Sequence, residues 1–151
     1  MSTTFFSGSF PPSARFVSRG DQSGTHEREK SLASEAAVTF AADRLITAGQ
    51  GMGATLRIAS EMEAYTLTDR GTFEQLAPQV RLVELYHGDL RLLNTYAVIS
   101  RPDSSGGRAF AVWLAEGPGR DAVAAAIASG TLRGFTIWPE GRPRQHPDDI
   151  P

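Results

Sequence analysis

An α/β fold, with a mostly parallel sheet flanked by helices, is what this sequence predicts. Two observations lead there. Arg15-Phe16-Val17-Ser18 and Tyr65-Thr66-Leu67-Thr68 are short strand-like stretches, each running into a turn at Gly20 or Gly71. The residues between them carry apolar side chains at three- and four-residue spacing, the period of a helix that buries one face. Strands separated by helices cannot be joined as hairpins, so they pair in parallel.

The elements follow in order. Residues 1–14 are small and polar and end near Pro11-Pro12, which predicts a loose arm through residue 15. Phe16 and Val17 open the first strand. A helix is expected from about Gly24 to Ala42, with Leu32, Ala33, Ala36, Ala37 and Phe40 on its buried stripe. Glu27, Glu29 and Glu35 near its start and Arg44 past its end suit the helix dipole. Gly49-Gln50-Gly51-Met52-Gly53 breaks the pattern, and a second helix is expected from about Ala54 to Glu63. Tyr65–Thr68 reads as a strand, closed by a turn at Asp69-Arg70-Gly71. Val80–Tyr86 and Leu93–Ser100 read as two further strands around the turn His87-Gly88-Asp89. Arg108–Ala115 and Asp121–Ser129 read as helices divided by Gly117-Pro118-Gly119, and Thr131–Trp138 as a last short strand or extended segment. A frayed, proline-bearing tail is expected over residues 139–151.

Composition removes several function classes. The 151 residues include no cysteine, so thiol catalysis, disulfide scaffolds and cysteine metal sites are excluded. Fifteen basic against seventeen acidic residues give a net charge of −2, which offers no electrostatic footprint for nucleic acid. The longest apolar run, Ala122–Ala128, is too short to span a bilayer. The opening MSTTFFSGSFPP lacks the basic and apolar blocks of a secretory leader, so a cytoplasmic location is the expectation for the chain as written.

Chemistry concentrates in Ser18-Arg19-Gly20-Asp21-Gln22-Ser23-Gly24-Thr25-His26, between a strand and a helix. Ligands bind open α/β sheets at such places. A helix start presents unpaired N–H groups and positive dipole potential, which together favour an anion. Ser23 and Thr25 add hydroxyl donors, Gly24 permits close approach, and Arg19 offers a planar fork of donors that matches two oxygens of a tetrahedral anion. Asp21 cannot donate when ionised, so it orients Arg19 or the loop, or accepts from a protonated ligand. The plain alternative is a helix cap by Ser23 or Thr25 with Arg19 paired to Asp21.

Other readings are weaker. Gly49–Gly53 satisfies neither glycine-rich nucleotide fingerprint and serves better as a turn and helix start. His26-Glu27 lacks the second histidine of a zinc helix, and His87 and His146 have no evident metal partners. Ser23, His26 and Asp21 are too close in sequence to form a triad, and no G-x-S-x-G elbow occurs. No enzyme activity, no metal and no cofactor are expected.

Four blocks then coincide: Phe16–His26, Gly49–Leu56, Ala64-Tyr65-Thr66-Leu67-Thr68-Asp69-Arg70-Gly71-Thr72, and Leu92-Leu93-Asn94-Thr95-Tyr96-Ala97-Val98-Ile99. In this combination and order the chain resembles the tungstate/molybdate-type substrate-binding proteins of ABC transporters, which have the type II periplasmic binding protein fold. Phosphate-binding proteins share the shorter pattern at Arg19, Asp21 and Ser23–Thr25; the Tyr65–Thr72 block favours tungstate or molybdate.

The resemblance implies that Arg19, Ser23, Gly24 and Thr25 contact the anion, with Ser18 nearby. It implies a ligand-binding second lobe over residues 16–95 and a return into the first lobe over residues 96–138. It implies a permease subunit and a small oxyanion as partners, a periplasmic or extracytoplasmic place of action, and transport without chemistry. Residues 1–15 show nothing like the family's Thr/Ser-rich first-lobe motif, so an incomplete first lobe is expected. Helices meant for that lobe would expose Phe110, Trp113, Leu114, Val123 and Ile127, which predicts a homodimer. The alternatives are an oxyanion-sensing domain of a transcriptional regulator, a phosphate- or sulfate-binding protein, and an enzyme that uses Gly49–Gly53 for a phosphate-bearing cofactor.

Overall fold

The computed structural model describes residue 11, residues 13–94 and residues 96–137. The greater part of the expected N-terminal arm, Trp138 and the expected tail lie outside the described residues. The chain divides into two compact units, with the boundary between Ala97 and Val98.

The first unit is built on a three-stranded parallel sheet in the order β2-β1-β3, formed by β1 (Phe16–Ser18), β2 (Leu45–Thr47) and β3 (Tyr65–Thr66). Phe16 pairs with Leu45 on one side and Tyr65 on the other, and Val17 with Ile46 and Thr66. Thr66 adds a side-chain bond, its Oγ1 donating to the Val17 carbonyl at 2.8 Å. β1 is buried along its whole length, as befits a central strand with two neighbours.

Helices supply the crossovers. α1 (Gly24–Glu35) joins β1 to β2, and α2 (Met52–Glu61) joins β2 to β3. The core forms where α2 meets the sheet: Val17, Ala59 and Ala64 make one buried cluster and Met52, Leu56 and Leu76 another, with Leu82 packed against both. Leu56 and Val17 are fully buried.

α1 stops at Glu35, short of the expected Ala42. Ala37 takes a left-handed φ of 51°, its N–H bonds the Ser34 carbonyl, and the Val38 N–H bonds the Ala33 carbonyl at 2.9 Å. This pairing closes a helix with a Schellman motif, here without the usual glycine, and β-branched Val38 and Thr39 follow it. Of the expected stripe only Leu32 is buried; Phe40 instead stacks on Phe16, ring centres 4.8 Å apart. Arg44 consequently lies in the turn before β2, not at the helix end. α2 ends the same way, with Glu63 at φ 52° and the Ala64 N–H on the Ala59 carbonyl.

Two strand expectations fail and two elements come unannounced. Val80–Tyr86 forms no strand, and neither do the described residues of Leu93–Ser100; of the two readings of Thr131–Trp138, the described residues form no strand. An alternating pattern yields a strand only where another strand satisfies its backbone groups. Here Val83, Leu85 and Ile99 stay exposed. β2 was not foreseen, nor was α3 (Arg70–Leu76), whose first turn was read as a strand-closing turn. Asp69 is instead its N-cap: Oδ1 accepts from the Thr72 N–H and hydroxyl, both at 2.8 Å.

The second unit, by itself, is a helical pair. α4 (Ser105–Glu116) is capped by Ser104, whose Oγ accepts from the Gly107 N–H at 3.0 Å. Gly117 ends α4 and starts α5 (Pro118–Ala128), with Pro118 preset for the first helical turn. Both helices lie close to the expected positions. Gly119 is buried beneath the Trp113 indole, and a Cβ there would fall 2.5 Å from Cε3. No residue of α4 is buried, and Phe110, Val112 and Trp113 are each about half exposed, 52%, 53% and 45%.

Candidate functional site

The loop after β1 holds the site. In the order β2-β1-β3 the chain leaves β1 to one side and returns to the other, so the carboxyl end of β1 faces the reversal point where open α/β sheets bind ligands.

Glycine and strain shape the loop. Gly20 has φ 65°, and a Cβ on it would sit 2.2 Å from Thr47 Cγ2, so no larger residue fits unless Thr47 moves. Gln22 also lies in the left-handed region, φ 59°, held by its N–H on His26 Nδ1 at 3.1 Å. That bond uses Nδ1 as its acceptor.

Side chains tie the loop down. Asp21 bridges it: Oδ2 accepts from Arg19 Nε at 2.7 Å and Oδ1 from the Ser23 N–H at 3.1 Å. The hydrogen bonds from Ser23, first, and then the charge of Arg19 hold the Asp21 carboxyl below its ordinary value, against some desolvation. Ser23 is the N-cap of α1, its Oγ accepting from the His26 N–H at 3.4 Å. The capping and pairing of the plain alternative are therefore both present.

They do not exhaust the donors. Arg19 uses only Nε on Asp21; Nη1 and Nη2 make no hydrogen bond among the described residues. The N–H groups of Gly24 and Thr25 and the Thr25 hydroxyl likewise have no partner among the described residues. Thr25 is buried, and the Ser23 hydroxyl is committed, accepting from the His26 N–H and donating to the Asp21 carboxyl. Arg19, Gly24 and Thr25 thus come together beside Ser23 with donors to spare. Ser18 differs: its hydroxyl donates to Glu29 Oε2 at 2.6 Å.

Two residues of this site were missed in the sequence. Glu29, read only as a dipole-compatible acid, is buried with 5% of its surface exposed and also accepts the Arg19 N–H on Oε1 at 3.1 Å. Burial pushes its carboxyl up, and the bonds from Ser18 and Arg19 only partly oppose this. Its place one and a half turns into α1, on the side of Thr25, was the available signal. Asn94 lies beside the helix start, its amide oxygen 3.5 Å from where a Gly24 Cβ would be. Arg28 Nη2 reaches the neighbouring Leu93 carbonyl at 3.3 Å and ties this returning segment to α1. Among the described residues no group of three acidic or histidine side chains is placed to hold a metal ion. No helix among them is long and apolar enough to cross a membrane.

Comparison with known proteins agrees with this fold. The model of the PBP superfamily domain matches residues 11–117, and the chain belongs to that periplasmic-binding-protein superfamily, with its type II fold. The tungstate-binding protein TupA of Peptoclostridium acidaminophilum is 40% identical over 107 residues, which are 66% of this chain and 37% of the relative. A provisionally assigned ABC transporter anion-binding protein of Haloferax volcanii is 41% identical over 91 residues, 57% of this chain and 27% of that one. The crystal structure of a functionally unknown protein from Vibrio parahaemolyticus superposes with a TM-score of 0.54 at 34% identity, covering 74% of this chain and 51% of that chain. The chain spans about a third of the length of the curated relatives it matches.

Proposed function

We propose that this chain provides one lobe of the substrate-binding component of an ABC transporter for a tetrahedral oxyanion, tungstate or molybdate ahead of phosphate or sulfate. The observation that carries this reading is the set of donors uncommitted among the described residues at one helix start: the two Nη groups of Arg19, the N–H groups of Gly24 and Thr25, and the hydroxyl of Thr25. Each can donate to a deprotonated oxygen, and Asp21 fixes the plane of Arg19 so that little freedom is lost on binding. The relatives named for tungstate and for anion binding support the same class of ligand.

In this reading residues 16–95 form the ligand-binding lobe and residues 96–138 return toward a first lobe. The protein acts outside the cytoplasmic membrane, hands its anion to a permease, and performs no chemistry. It needs no cofactor. The half-exposed Phe110, Val112 and Trp113 are covered by a second copy of the chain.

Isothermal titration of the chain with tungstate, molybdate, sulfate and phosphate, beside Arg19→Ala, tests the reading. Saturable binding of tungstate or molybdate that the variant loses is the expected result. Binding unchanged in Arg19→Ala, or no binding by folded protein, overturns it.

A further inference from the structure

We propose that Glu29 is a positioning residue that couples anion binding to the uptake of one proton, by deciding whether Ser18 can donate to the ligand. The inference rests on the oxyanion reading of the same loop and adds to it a residue and a linkage.

The geometry poses a problem that this coupling solves. Ser18 is the last residue of β1 and is buried, with its hydroxyl hydrogen directed at Glu29 Oε2, 2.6 Å away. While Glu29 is ionised, Ser18 has only lone pairs left to show the site, and lone pairs repel a deprotonated oxyanion. The carboxylate is itself a buried negative charge behind an anion site, which the incoming dianion would further destabilise. A proton from solvent on Oε2 removes both difficulties. The neutral carboxyl then donates from Oε2 to Ser18 Oγ, the Ser18 hydrogen turns toward the ligand, and Oε1 goes on accepting the Arg19 N–H. One proton enters from water and none is lost.

The surroundings lean the same way. The ionisable groups acting on Glu29 are His26, one turn earlier on α1, which opposes its protonation, and Asp21 in the loop, which favours it. β1 presents the Ser18 hydroxyl, and the loop presents the Arg19 N–H. Arg91, on the segment that crosses α1, acts on Glu35 farther along the helix. Burial already raises the Glu29 carboxyl before any anion arrives.

The test is tungstate titration of the full chain from pH 6.5 to 8.5, repeated in buffers of different ionisation enthalpy, for the wild type and E29Q. A glutamine keeps an acceptor for the Arg19 N–H and donates permanently to Ser18 Oγ, so it mimics the protonated state. The wild type should take up close to one proton per anion and lose affinity about tenfold per pH unit as pH rises, the slope of a one-proton linkage. E29Q should bind with no such slope and, at pH 8.5, more tightly than the wild type. Should E29Q fail to fold, Ser18→Ala answers the question: without the hydroxyl the part of the linkage it carries is lost, and the slope should fall clearly below that of the wild type, an unchanged slope overturning the role of Ser18. Wild-type binding without proton uptake, or an equal slope in both proteins, overturns the inference and leaves the oxyanion reading intact. No heat with either protein removes both.

Discussion

Gly20 and Thr47 touch across the carboxyl ends of β1 and β2 so closely that a methyl group on Gly20 would lie 2.2 Å from Thr47 Cγ2. The same glycine holds a φ of 65°, which L-residues avoid. Gly20→Ala should therefore destabilise the protein by about 1–3 kcal/mol, part from the left-handed backbone and part from displacement of Thr47. Thr47→Ser in the Gly20→Ala background removes Cγ2 and should restore the second part only. Thermal unfolding of the three proteins checks this, and no recovery in the double variant would put the whole cost in the backbone.

The buried carboxyl gives stability an unusual pH dependence. Glu29 has a folded-state pKa above the ordinary 4.5, so the stabilisation from its neutral form is complete below 4.5 and is lost as pH rises through the raised value. Asp21 and Asp89, both held below the ordinary 3.8, act in the opposite sense and lose their contribution only in strong acid. Replacing Glu29 by Gln should flatten the decline as pH rises above 4.5 and leave the acid limb unchanged. Chemical denaturation on both sides of pH 4.5 measures both limbs.

Leu56 is almost wholly buried in the cluster with Met52 and Leu76. Leu56→Ala should cost about 2–5 kcal/mol, the range for emptying such a site. Because α2 connects the two core clusters through Leu82, loss of this side chain should appear as one cooperative shift of the first unit. Amide exchange of β1 and β3 residues would reveal a local effect instead, if their protection survived.

The helical pair should self-associate through α4. Phe110 and Trp113 stack with ring centres 5.7 Å apart and stay half exposed. Light scattering should give about twice the 16.2 kDa chain mass for the wild type and the single mass for Phe110→Glu. A wild-type monomer across the concentration range counts against a second copy as the cover.

What the sequence made legible was what local chemistry decides. β1, α2, α4 and α5 were readable from spacing, and the Arg19–Thr25 loop from its donors. α3 was hidden because Asp69 serves equally as a turn residue or as an N-cap, and only Phe73 and Leu76 at helical spacing distinguish the two. The end of α1 was hidden because Ala37 adopts a conformation its side chain does not advertise. Val80–Tyr86 failed as a strand for a nonlocal reason: a ladder partner is a property of the assembled fold. Glu29 was missed for the same reason, since its meaning comes from Ser18 and Arg19 arriving on another element.

The N–H groups of Gly24 and Thr25, without a partner among the described residues, belong to the main chain, so no ordinary side-chain replacement deletes them. Under the proposed oxyanion reading, mutation can retune such a site through Arg19, Ser23 or Thr25, but its attraction for negative charge is inherited from the path of the backbone. Drift in the sequence would then change which anion is preferred long before it erased the preference for anions, and erasing it would take a proline or a rerouted loop.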